Sequence, residues 1–210
     1  MKAIVYKSTG SWYTLKDEAG RFWNGRMKGV MKLDDITSTN PVAVGDRVEA
    51  DIESEEGNTA IINEILDRHN YINRQSPRHK HQHHIVAANL DQSLLIATLR
   101  EPRTSQGFID RFLVACEMYH VTAVIAFNKS DLYKAKDLEK YEALKSMYEA
   151  IGYKVILVSA EKNEGLEAFN SILKDKTTLL SGHSGVGKST LLNSLFPGMN
   201  RKTQAVSGWS

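Results

Sequence analysis

Over residues 1–74 hydrophobic and polar positions alternate in short runs: Ala3-Ile4-Val5-Tyr6, Ser11-Trp12-Tyr13-Thr14-Leu15, Arg47-Val48-Glu49-Ala50-Asp51-Ile52 and Thr59-Ala60-Ile61-Ile62. A period of two marks a strand with one buried face. Turn-forming residues divide the runs at Ser8-Thr9-Gly10, Glu18-Ala19-Gly20, Asn24-Gly25 and Glu56-Gly57-Asn58. About five strands in so short a stretch fit a small Greek-key barrel of the oligonucleotide-binding (OB) kind, with an SH3-like barrel as the alternative. Residues 75–89, which hold Pro77 and the histidines His79, His81, His83 and His84, read as a linker.

After Leu90 the rhythm changes to strands alternating with helices. Residues 93–99 form the continuous apolar run of a buried parallel strand, and residues 108–120 carry apolar side chains at helical spacing. A strand over 121–127, a helix over 137–151 capped by Gly152, a strand over 154–158, a helix over 166–173 and a strand over 177–180 follow. Such alternation predicts a parallel sheet with helices on both faces. The expected fold class is therefore α/β: an OB-fold β-barrel over 1–74, a linker over 75–89 and an α/β domain over 90–210.

Composition agrees with a globular chain. Of 210 residues, 41% are hydrophobic and 25% charged, within the ordinary range. The sequence has no apolar run approaching the roughly 18 residues that a membrane span needs, and no signal-type stretch after Met1. A soluble, cytoplasmic protein without membrane association is expected. Cys116, the one cysteine, shares an apolar helical stripe with Ile109, Phe112 and Leu113, so it belongs to the core. Charge is unevenly spread: residues 1–32 hold seven Lys/Arg against Asp17 and Glu18, whereas residues 34–67 hold ten Asp/Glu against Arg47. This is either a basic lip beside an acidic strip or solvated charge on loop faces.

The strongest chemical signal is Gly182-His183-Ser184-Gly185-Val186-Gly187-Lys188-Ser189, which follows an apolar strand and opens the helical run 190–196 ahead of Pro197. Glycines let the backbone curl until several N–H groups converge at the positive end of a helix, where they cradle phosphate. Lys188 is then aimed at the β- and γ-phosphates, and the Ser189 hydroxyl at Mg²⁺. Thr190 completes the candidate loop. His183 sits among residues that act through their backbone and is read as loop-shaping rather than as a general base.

The base is addressed by a second motif, Asn128-Lys129-Ser130-Asp131, at the carboxyl end of the strand over 121–127. It resembles the guanine-specificity motif of GTPases, in which the carboxylate at Asp131 accepts hydrogen bonds from guanine N1–H and the exocyclic amine. Adenine offers an acceptor at N1 and lacks the amine, so it would leave a buried charge unpaired. That opposes an ATP-dependent enzyme. In the same resemblance Asn128 ties this loop to the phosphate loop, and Lys129 lies along base and ribose. Ser159-Ala160-Glu161, after the strand over 154–158, resembles the short GTPase motif whose backbone N–H reaches guanine O6.

The order is rotated: base motifs come before the phosphate loop, which implies circular permutation of a P-loop GTPase domain. Together with the barrel, and with Gly45-Asp46-Arg47-Val48 and Ala87-Ala88-Asn89-Leu90-Asp91-Gln92, this resembles the circularly permuted, ribosome small-subunit-dependent GTPase family. The resemblance implies binding of GTP, GDP and Mg²⁺, hydrolysis of GTP, and the small ribosomal subunit with its 16S ribosomal RNA as partner, the protein acting as a monomer. It also implies a switch segment, an Asp-Thr-Pro-Gly motif and a Cys/His zinc domain beyond Ser210. The GTPase domain is thus expected to be incomplete here, with the Zn ligands outside this sequence and the catalytic residue unassigned.

Lys16, Arg21, Arg26 and Lys28 interleave with Trp12, Tyr13, Phe22 and Trp23 and are candidate RNA-binding residues, cations for phosphates and aromatics for bases. Half of a strand's aromatics ordinarily face the core. The His79–His84 stretch lacks carboxylate or cysteine companions and reads as a solvated or RNA-facing linker rather than a metal site. Two functions compete: a GTP hydrolase working on the small subunit, and a nucleotide-sensing RNA-binding module without significant hydrolysis of its own.

Overall fold

In the computed structural model, which describes residues 1–28, 41–75, 83–196 and 198, the alternating positions of the first third become the strands of a closed barrel. These are β1 (Lys2–Thr9), β2 (Trp12–Asp17), β3 (Phe22–Met27), β4 (Arg47–Ser54) and β5 (Thr59–Ile65). Period two turns Ala3, Val5, Tyr13, Leu15, Trp23, Val48, Ala50, Ala60 and Ile62 inward as one core. The order β1-β2-β3-β5-β4, with β3 and β5 parallel and β4 closing on β1, makes the barrel OB-like and sets the SH3 alternative aside. Asn24-Gly25, expected as a turn, lies inside β3 instead. A Cβ at Gly25 would sit 2.7 Å from Leu15 Cδ1, so this glycine makes room for a core leucine and does not reverse the chain.

The segment expected as a linker carries part of a strand pair. β6 (Tyr71–Gln75) runs antiparallel to β7 (His83–Ala88), and Tyr71, Ile72, Ile85 and Val86 are the aromatic and β-branched types that favour such pairing. His79, His81 and Pro77 lie outside the described residues. The Gly45-Asp46 motif has an architectural meaning. Gly45 has φ +91°, and a Cβ there would meet the Ala88 carbonyl oxygen at 2.1 Å. Asp46 is fully buried, which its partners permit: both carboxylate oxygens accept from the Arg68 guanidinium at 2.6 Å, and Oδ2 also accepts from the Ala43 N–H at 2.8 Å. These residues belong to the compact unit Met1–Leu90.

The second unit, Asp91–Ser210, is a four-stranded parallel sheet of β8 (Gln92–Ala97), β9 (Thr122–Phe127), β10 (Lys154–Leu157) and β11 (Thr178–Ser181) in the order β10-β9-β8-β11. Its helices are α1 (Gln106–Met118), α2 (Ala135–Ala150), α3 (Leu166–Leu173) and α4 (Lys188–Leu195). Alternate residues of the buried strands point to opposite faces. Leu95, Ala97, Ile125 and Phe127 pack with Ile109, Leu113 and Cys116 of α1 and with Tyr141, Leu144 and Tyr148 of α2. Leu94, Ile96, Val124 and Ala126 pack with Phe169 and Ile172 of α3 and Leu191 of α4. Local chemistry sets the helix ends: the Ser105 hydroxyl accepts the Phe108 N–H at 3.3 Å, the Asp137 carboxylate accepts the Lys134 N–H at 2.9 Å, and Gly152 follows α2 at φ +96°.

The chain steps outward from β8 to β9 to β10 and then returns to the other flank of β8 with β11. Loops leaving β8 and β11 therefore diverge to opposite faces, and their carboxyl ends frame the crevice where open α/β sheets take ligands. Among the described residues no helix is long and apolar enough to cross a membrane.

Candidate nucleotide-binding site

The Gly182–Thr190 loop leaves β11 and enters α4. Gly182, Gly185 and Gly187 have φ of +143°, +81° and +95°, a curl that side chains resist. Space forbids them as well: a Cβ on Gly182 would lie 2.4 Å from the Ile96 carbonyl oxygen, and one on Gly187 would lie 2.3 Å from Asn128 Nδ2. Lys188 folds back so that Nζ donates to the carbonyls of Gly182 at 2.8 Å and His183 at 2.7 Å. Partial burial pulls its pKa below the ordinary lysine value, because desolvation penalises the charged form. The Ser189 and Thr190 hydroxyls follow in the first turn of α4, an oxygen donor set suited to a phosphate-bound Mg²⁺.

Asn128 directly follows β9 and is 1% exposed. Its Nδ2 donates to the Val186 carbonyl of the phosphate loop at 2.9 Å, and its Oδ1 accepts the Ala160 N–H at 3.2 Å. One buried amide thus binds three loops that are far apart in sequence. Lys129 then turns into the left-handed region at φ +64°, its ammonium donating to the Glu101 carbonyl, and a single 3-10 turn over Ser130–Leu132 presents Asp131. Ser159, fully buried, donates its hydroxyl to Asp131 Oδ1 at 2.5 Å and accepts the Lys162 N–H at 3.1 Å. A cleft of about 280 Å³ opens between these loops, bounded by Asn128, Lys129, Asp131 and Leu132 on one side and by Ala160, Glu161, Gly187 and Thr190 on the others.

The sequence profile of the RsgA GTPase matches residues 65–210, and that of the RsgA N-terminal domain matches residues 2–62. The chain belongs to the RsgA GTPase family. Relatives carry the name small ribosomal subunit biogenesis GTPase RsgA: one from Cytophaga hutchinsonii is 50% identical over 92% of this chain and 63% of its own length. Another from Bacteroides thetaiotaomicron, RsgA 2, is 50% identical over 99% of this chain and 66% of its own. The chain therefore spans just under two thirds of these relatives. Among crystal structures, YjeQ from Thermotoga maritima superposes with a TM-score of 0.78 at 32% identity, covering 98% of this chain and 68% of that one. YloQ, described as a circularly permuted GTPase, gives 0.70 at 30% identity, covering 94% and 65%. The rotated motif order is thus a property of the RsgA fold.

The barrel cations are only partly available. Arg21 stacks on the Trp23 ring at 4.2 Å and donates to Asn58 Oδ1 at 2.8 Å, and Arg26 is ion-paired with Glu53. Lys16 holds its ammonium 5.4 Å and 5.5 Å from the Tyr6 and Phe22 ring centres, while Lys28 is exposed. Strand alternation sorts the aromatics: Tyr13 and Trp23 are buried, Trp12 and Phe22 exposed. His183 packs its ring on Phe108 of α1, centroids 3.9 Å apart. Among the described residues no group of three His, Cys, Asp or Glu is arranged to hold a metal.

Sequence reasoning missed three contributors. Leu132 walls the cleft, Phe108 steadies the phosphate loop through His183, and Tyr133 bonds to the base loop. None belongs to a motif, and only the apolar spacing of α1 hinted at Phe108.

Proposed function

We propose that the full-length protein is a GTPase that binds the small ribosomal subunit and assists its late maturation, hydrolysing GTP to GDP and phosphate in the cytoplasm. The observation that carries the reading is the Asn128 side chain, which joins phosphate loop, base loop and Ser159-Ala160 loop around one cleft. Family membership and the names of the relatives support it. Guanine would donate N1–H and its amine to Asp131, whose Oδ1 is steadied by Ser159 so that Oδ2 is left for the base. The Ala160 N–H, in a 3.2 Å bond to Asn128, is then shared with O6. Lys188 would exchange its loop carbonyls for β- and γ-phosphate oxygens, and Ser189 would hold Mg²⁺, which supplies charge neutralisation between those phosphates.

The barrel would contact 16S ribosomal RNA through Lys16, Arg21, Arg26 and Lys28. With Arg21 and Arg26 already engaged by Asn58 and Glu53 on the barrel surface, neutralising Lys16 and Lys28 is expected to account for most of the loss in affinity. The slope of log K against log salt should shrink by about 0.7–0.9 for each phosphate contact removed. An unchanged slope in the fourfold neutralised protein places the contact elsewhere. The function itself is tested by steady-state turnover of the full-length protein with and without small subunits. Stimulated hydrolysis is expected. Equal turnover with and without subunits overturns the ribosomal half of the proposal.

A further inference from the structure

Tyr133 follows the base loop and belongs to none of the nucleotide motifs. Its hydroxyl donates to the Asn128 carbonyl at 2.9 Å and accepts the Leu99 N–H at 3.0 Å, so neither direction of the group is left to rotate. Its own N–H donates to the Ser130 carbonyl at 3.0 Å and closes the 3-10 turn. One residue therefore clamps both ends of the loop: side chain to the carbonyl where the loop begins, backbone to the turn where it finishes. Asp131 lies between the two clamps. The loop requires such restraint, because Lys129 holds a left-handed conformation that a lysine does not favour. Burial, the largest influence on this phenol, pushes its pKa up to about 12, so it remains a protonated donor at neutral pH.

A second strut arrives from the same direction. The segment after β8 folds on itself through the buried Thr98 and Thr104, whose backbone and side-chain groups bond reciprocally at 2.7 Å and 3.0 Å. This segment supplies the Leu99 N–H to Tyr133, the Glu101 carbonyl to Lys129, and Arg100, whose guanidinium donates to Asp137 at 2.6 Å. The base loop is thus buttressed from β8 as well as tied to the phosphate loop.

We infer that Tyr133 is a specificity-determining positioning residue, which holds the base loop so that the Asp131 carboxylate meets both donors of the guanine edge. The inference rests on the guanine reading of the cleft. A base that keeps N1–H and O6 but lacks the 2-amino group, hypoxanthine, isolates the second donor. Placing one carboxylate against two donors is more sensitive to loop position than a single hydrogen bond is.

The test compares GDP and IDP affinity in the full-length protein by calorimetry, for wild type, Tyr133→Phe, Tyr133→Met and Tyr141→Phe. Phenylalanine keeps the packed ring and removes the clamp, and methionine is a second apolar replacement in case one variant fails to fold. Tyr141→Phe removes a hydroxyl from the same core without touching a bond to Asn128. GDP affinity should fall about tenfold in the Tyr133 variants, and the preference for GDP over IDP should shrink about threefold or more. Tyr141→Phe should keep the wild-type preference. A wild-type GDP-to-IDP ratio in either folded Tyr133 variant overturns the inference, as does an equal loss of ratio in Tyr141→Phe. A wild-type protein that binds GDP and IDP equally overturns the guanine reading instead, so the two failures are distinct.

Discussion

Lys188→Ala is expected to lower affinity for GTP and GDP together, by on the order of a hundredfold to a thousandfold, with the fold intact. The ammonium is half-buried, its partners are the neutral carbonyls of Gly182 and His183, and among the described residues no carboxylate is ion-paired with it. A desolvated cation supported only by carbonyl dipoles gains most from an anion, and phosphate oxygens supply several charge-assisted bonds of about 1.5–3 kcal/mol each. Removing it relieves a desolvated charge, so the melting temperature of the unliganded variant should be unchanged or raised. Calorimetric titration with GDP, alongside a thermal melt, checks both parts. A folded variant that binds GDP at wild-type strength would remove Lys188 from the phosphate site.

The second large effect concerns the base. Asp131→Asn should lower GDP affinity by roughly a hundredfold and raise affinity for xanthosine diphosphate above it. Ser159 donates its hydroxyl to Oδ1, so an asparagine that retains this bond turns its Nδ2 towards the base. Guanine then meets a donor with a donor. Xanthine, with a carbonyl in place of the amine, meets it with an acceptor, and the mismatch becomes a match. Ser159→Ala in the Asp131→Asn background should weaken the switch, because nothing then fixes which end of the amide faces the base. Competition between the two diphosphates for the variant is the measurement, and an unaltered guanine preference removes Asp131 from the base site.

The parts of the site that sequence revealed are those whose chemistry is local. Three glycines, a lysine and a serine at fixed spacing between strand and helix describe the phosphate loop without reference to anything distant. The alternation of buried positions likewise marked β1, β2, β4 and β5 and the strand-helix order of the second unit. What was hidden depends on partners far along the chain. Gly25 looked like a turn residue because its reason, the volume of Leu15, lies across a strand pair. The parallel pairing of β3 with β5 that makes the barrel OB-like is a matter of topology. Arg21 and Arg26 read as available cations because Asn58 and Glu53, their partners, are some thirty residues distant on neighbouring segments. Tyr133 is the sharpest case: it belongs to no motif, and its meaning comes from the bonds of its hydroxyl to the Asn128 carbonyl and to the Leu99 N–H, more than thirty residues away just beyond β8.

The central claim, that three loops build one guanine-selective nucleotide cleft, is tested most directly by displacement of a fluorescent GDP from the full-length protein. GDP and GTP should displace it at similar concentrations, whereas ATP should require on the order of a thousandfold more, because adenine leaves the Asp131 carboxylate without its donors. Displacement by ATP at the same concentration as GTP would contradict the account.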